Sequence, residues 1–220
     1  NSGEFAKVAN NGDYAKVANN GESCVIANIG IFGTVKSSLG SWVTLAFYEK
    51  NAKGRYLPNF VKTEFVDGEK IKSDIEYCLY KTEFREVLTA DGIRAAVISK
   101  KGNVYKVWCF GDSKESFVYE ENGIFSHGAT LKEARDSLIY KIGSRDTSPY
   151  KAYTLDTVVS KEEAIKMYRV ITGACEYGVK RFVDSLLKTK KKYKIKEIVQ
   201  LADGQYGHLE FKRFFEAKHD

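Results

Sequence analysis

Ala6-Lys7-Val8-Ala9-Asn10-Asn11-Gly12 recurs unchanged as Ala15-Lys16-Val17-Ala18-Asn19-Asn20-Gly21. Glycines stand at Gly3, Gly12, Gly21 and Gly30, a period of nine. Counted from each glycine, the third column reads Phe5, Tyr14, Ser23, Phe32 and the fourth Ala6, Ala15, Cys24, Gly33. The sixth column is aliphatic (Val8, Val17, Ile26, Val35), and the eighth is Asn10, Asn19, Asn28, Ser37. Fixed columns mean that each copy buries the same positions. Asn-Asn-Gly between copies is turn chemistry, because Asn and Gly tolerate positive φ. A nine-residue unit is a short strand plus a tight turn. The expectation is a short N-terminal β-solenoid of stacked half-coils, with small residues inside and Asn at the corners. An antiparallel meander is the alternative, since the same turns make hairpins. The solenoid is preferred because hairpins do not require one side-chain type at one place in every strand.

Beyond the repeats, Ser41-Trp42-Val43-Thr44-Leu45-Ala46-Phe47 starts an apolar strand able to cap the stack. Residues 58–66 and 75–80 read as strands around an Asp67-Gly68-Glu69-Lys70 turn. Residues 93–99 and 104–110 form a hairpin over Lys101-Gly102-Asn103, and 116–119 adds a third strand. Thr130-Leu131-Lys132-Glu133 is a capping box, followed by Leu131, Ala134, Leu138 and Ile142 at helical spacing. Ser160-Lys161-Glu162-Glu163 is a second box. Ala164, Ile165, Tyr168, Ile171 and Cys175 follow on one face, and Gly173 interrupts it. The predicted class is α+β: the solenoid or meander and its following strands over 1–88, then a β-β-β-α unit and a helical C-terminus over 89–220. A sub-boundary is expected near 145–158.

The chain has 220 residues, 43% hydrophobic and 13% aromatic, which is enough for a sizeable core and unlike a disordered chain. No window approaches the length of a membrane span. It opens Asn1-Ser2-Gly3 without Met or a secretory leader, and reads as a processed or artificial end or the interior of a longer array. Cys24, Cys78, Cys109 and Cys175 are widely spaced with no C-x-x-C, so reduced, buried thiols are expected. The net charge of +6 is uneven. Residues 1–50 hold four basic and four acidic side chains. Residues 151–220 hold fifteen basic and ten acidic ones. Attraction for nucleic acid or an acidic partner would come from Lys188, Lys190, Lys191, Lys192, Lys194, Lys212 and Arg213. The last two lie on the second helix of a helix-turn-helix-like segment, whose Phe211, Phe214 and Phe215 read as core.

No phosphate-loop, dinucleotide, zinc-protease or nucleophile-elbow motif occurs. The repeat turns carry one acid each, too few for a calcium roll. No metal or cofactor is expected. The weak catalytic candidates are His127, in Ser126-His127-Gly128-Ala129-Thr130 before a helix start, and Cys175, in Ile171-Thr172-Gly173-Ala174-Cys175. Such a pair meets only in space. The default readings are a turn histidine and a packed thiol.

The Gly/Asn repeats followed by Leu39-Gly40-Ser41-Trp42-Val43-Thr44-Leu45-Ala46 and Val66-Asp67-Gly68-Glu69-Lys70-Ile71-Lys72 resemble uncharacterised proteins of bacteriophages and mobile elements. The segments 171–175 and Gly204-Gln205-Tyr206-Gly207-His208 are also similar to these. That resemblance implies the bacterial cytoplasm and an accessory role such as interference with host defence. It transfers no site residues. The leading expectation is a non-enzymatic protein that binds a host protein or complex, for example an inhibitor of a nucleic-acid-guided defence system. It would lack a membrane association and could self-associate through the repeats. The alternatives are a direct nucleic-acid binder and a small Cys/His-dependent hydrolase or transferase.

Overall fold

In the computed structural model, residues 3–186 and 190–216 are described. Among them the chain is mixed α/β and mostly sheet, with fourteen strands in three sheets and five α-helices. No helix among them is long and apolar enough to cross a membrane. Two compact units divide the chain. The first is Asn1–Leu88 with Arg94–Ile98 and Trp108–Gly111; the second is Thr89–Ile93, Ser99–Val107 and Asp112–Asp220.

In the first unit the repeats form β1 (Lys7–Asn10), β2 (Lys16–Ala18), β3 (Val25–Asn28) and β4 (Thr34–Lys36). Alternate copies pair in parallel, eighteen residues apart: Lys7 lies opposite Val25 and Lys16 opposite Thr34. The β-solenoid expectation, and with it the α+β class, is corrected here. The parallel order ends within one further strand. β3 pairs in parallel with β5 (Trp42–Lys50), which then pairs antiparallel with β6 (Tyr56–Phe65). β4 pairs antiparallel with β7 (Glu76–Tyr80), and β7 with β8 (Glu83–Ala90). The meander fails too, because the repeat strands are not antiparallel neighbours. The repeats are thus short parallel ladders inside larger mixed sheets.

The columns follow from this register. Val17, Ile26 and Val35 are buried, and so are Asn19, Asn28 and Ser37. Asn28 Nδ2 donates to the carbonyls of Ala15 and Thr34, tying one copy to the next. Positive φ falls on Phe5, Tyr14, Ser23 and Phe32 rather than on Asn or the repeat glycines. The glycines serve another need. A Cβ on Gly21 or Gly30 would lie 2.1 Å from the carbonyl oxygen of Gly3 or Gly12, one ladder step away.

The second unit holds β11 (Ser116–Glu121) and β12 (Ile124–Gly128), with residues of β9 (Ile93–Lys101) and β10 (Val104–Cys109). Asp91-Gly92 joins β8 to β9, and Asn122-Gly123 joins β11 to β12. Both residues of each turn have positive φ, the backbone of a type I′ hairpin. α1 (Leu131–Ile142) packs on β11 and β12. It starts at Thr130, whose hydroxyl accepts the Glu133 N–H. Ala134 and Leu138 face inward, while Ile142 is exposed. α2 (Lys161–Thr172) is capped by Ser160 and ends at Gly173 in the left-handed region, φ 70°. α3 (Glu176–Leu186), the β13 (Val158–Ser160) and β14 (Lys192–Lys194) pair, α4 (Ile195–Leu201) and α5 (His208–Glu216) complete the unit. Met167, Tyr168, Ile195, Phe211 and Phe215 belong to its core.

Candidate functional site

Three stretches far apart in sequence converge in the second unit. Asp91 comes from the β8–β9 turn, His127 from β12 and Cys175 from the residue before α3. One ligand-type atom from each lies within 4.8 Å of the others. His127 faces inward because it pairs across the ladder with fully buried Val118. It is therefore a strand residue, not the turn histidine expected. Cys175 is not on a helical face either. Its carbonyl accepts the Val179 N–H and its Sγ the Gly178 N–H at 3.3 Å, the pattern of a helix N-cap. The left-handed Gly173 ends α2 and lets the chain turn into α3 at that point.

The electrostatics are those of a closed site. Cys175 is 3% and His127 1% exposed. Burial pushes the Cys175 thiol up, against the backbone N–H groups of His127 and Gly178 that face its sulfur. Burial, with the Lys141 and Arg181 charges, pushes His127 down to about 4. Thiol and imidazole are therefore both neutral near pH 7. Asp91 Oδ2 lies 3.9 Å from His127 Nδ1. Asp91 Oδ1 accepts from Lys141 Nζ at 2.5 Å. Burial pushes its carboxyl up while Lys141 pulls the other way. Both His127 ring nitrogens and Asp91 Oδ2 are buried without a hydrogen-bond partner. Such atoms cost free energy unless something else satisfies them.

The surroundings hold the cluster in place. The His127 ring stacks on Tyr177 with centroids 5.8 Å apart and planes 10° apart. The Tyr177 hydroxyl and the Arg181 guanidinium both donate to Asp112. Lys141 lies over the Tyr206 ring at 3.9 Å, and the Tyr206 carbonyl accepts from the Tyr168 hydroxyl. A Cβ on Gly207 would lie 2.4 Å from Thr172 Cβ. The segments 171–175 and 204–208 thus pack together beside this cluster.

The basic candidates lie elsewhere in the unit. Lys188 is outside the described residues. Lys190 pairs with Glu197, Lys194 with Asp156, and Lys212 with Glu216. Lys191 and Lys192 are exposed, and Lys192 opens strand β14. Arg213 is on α5, whose Phe211 and Phe215 are core. Sequence reasoning missed Asp91 as a site residue; Asp-Gly marks the hairpin turn but not its burial. Comparison with known proteins finds no matching family model, no similar curated protein and no similar solved structure.

Proposed function

We propose that the chain is a thiol-dependent hydrolase or transferase, with Cys175 as nucleophile, His127 as general base and Asp91 as the carboxylate that faces the imidazole. The observation that carries this reading is the meeting of the three groups within 4.8 Å, with Cys175 at the start of a helix of eleven residues. A nucleophile, a base and a nearby carboxylate in one cluster are parts that acyl transfer uses.

Because the resting pair is neutral, the Cys175 proton passes to a His127 ring nitrogen as the sulfur attacks an acyl carbon. Asp91 stabilises the imidazolium so formed. His127 then returns the proton to the leaving group, leaving a thioester on Cys175. Water or a second nucleophile resolves that thioester and regenerates the thiol. The helix start supplies a favourable field for the sulfur anion. Since the cluster is closed to solvent here, turnover requires an opening that admits substrate.

Incubation with p-nitrophenyl acetate tests the reading. Peptide mass spectrometry should find acetyl on Cys175, and His127→Ala should slow its appearance about 100-fold or more. Unmodified Cys175 alongside acetylation elsewhere would sink it.

A second reading rests on the first unit. Val25, Trp42 and Phe65 stand in one row across β3, β5 and β6. They are 52%, 50% and 40% exposed. A half-exposed apolar row with two aromatic rings favours binding to a protein partner. In a bacteriophage or mobile-element setting in the bacterial cytoplasm, that partner is a host protein or a nucleic-acid-guided defence complex. Direct nucleic-acid binding is less well supported, because Lys190, Lys194 and Lys212 already have acidic partners.

A further inference from the structure

We infer that Asp91, His127 and Cys175 form a binding site for a zinc-like divalent cation. The donors are one carboxylate oxygen, one imidazole nitrogen and one thiol sulfur, all within 4.8 Å of one another. This mixed oxygen, nitrogen and sulfur set suits Zn2+ and its analogue Co2+, and not the all-oxygen preference of Mg2+ or Ca2+. A second, independent observation points to a ligand. His127 is 1% exposed, and neither ring nitrogen has a hydrogen-bond partner; Asp91 Oδ2 has none either. An ion held between the residues would satisfy one His127 ring nitrogen and Asp91 Oδ2 together.

The remaining contacts fit that role. Lys141 occupies Asp91 Oδ1 and leaves Oδ2 for the ion. The stack on Tyr177 fixes the plane of the imidazole, which orients a metal-binding nitrogen. Three protein donors leave a fourth tetrahedral position for water or another small ligand. Binding exchanges the thiol proton for the ion: the S–H bond breaks, an S–metal bond forms and the proton goes to solvent. Affinity should therefore rise with pH as the proton is released.

The consequence for activity rests on the thiol reading, since an ion on Cys175 blocks its attack; the binding itself does not. Two measurements on the intact chain separate them. The first is titration with Co2+, followed by the thiolate-to-cobalt absorption band. One ion per chain should bind, and the band should vanish in Cys175→Ser. In His127→Ala affinity should fall by at least about tenfold. Mg2+ in excess should not compete. The second measurement needs no variant: alkylation of Cys175 by iodoacetamide, read by peptide mass spectrometry with and without stoichiometric Zn2+. Protection by Zn2+ supports the site. Alkylation at the same rate with Zn2+, together with no cobalt–thiolate band, overturns the metal proposal and leaves the nucleophile reading standing. A band that persists in Cys175→Ser also overturns it. A cobalt band together with a Cys175 that p-nitrophenyl acetate leaves unmodified supports the metal site and removes the enzyme reading instead.

Discussion

His127 shows how one buried residue couples to pH. Its value is pushed down to about 4 from an ordinary 6.5, first by burial and then by Lys141 and Arg181. Above pH 6.5 neither the folded nor the unfolded chain protonates it, so it carries no penalty. As pH falls from 6.5 to 4, the unfolded chain takes up a proton that the folded chain refuses. Stability therefore falls across that window, by on the order of 3 kcal/mol. Denaturant unfolding at pH 7.5 and pH 4.5 should show this loss, and His127→Gln should remove most of the difference. An equal pH dependence in the variant would contradict the assignment. Asp91 works in the other direction, since its raised value lets the folded chain hold a proton that the unfolded chain releases.

At the scale of elements, the repeat glycines separate two causes that look alike in sequence. Gly12 and Gly30 occupy the same column. A Cβ on Gly30 would strike the Gly12 carbonyl at 2.1 Å, whereas a Cβ on Gly12 meets no backbone atom, only the Asn10 side-chain oxygen at 3.2 Å and Ala15 Cβ at 3.7 Å. Gly30→Ala should thus cost about 3 kcal/mol by forcing backbone apart. Gly12→Ala should stay within about 1 kcal/mol of the original. Equal effects on the denaturation midpoint would contradict the parallel pairing. Much of this scale was legible. The aliphatic column became Val17, Ile26 and Val35 in the core, and the two capping boxes became the starts of α1 and α2. Strand direction was not legible, because a nine-residue period fixes which residues face inward but not which copy lies beside which. The switch to antiparallel partners at β6 and β7 depends on segments that carry no repeat.

For the whole molecule, the two units carry separate readings and separate tests. The candidate site was legible only in part. His127 and Cys175 stood out by residue type, but β12 and the helix start that aim them are set by tertiary packing. Asp91 was hidden in an ordinary turn signal. On the first unit, the Val25, Trp42 and Phe65 row should bind a partner. If so, Trp42→Lys with Phe65→Lys should weaken inhibition of a reconstituted guided-nuclease complex at least about tenfold while the chain stays folded. Absence of inhibition by the unmodified chain would remove that reading. The central claim concerns Cys175, His127 and Asp91, and the most direct measurement is the rate of iodoacetamide modification at Cys175 in the native chain, followed against pH. General-base assistance predicts that Cys175 reacts near pH 7 faster than the buried Cys24, Cys78 and Cys109, and that His127→Ala removes the advantage. A Cys175 that stays as inert as the other three thiols until the chain unfolds would contradict the account.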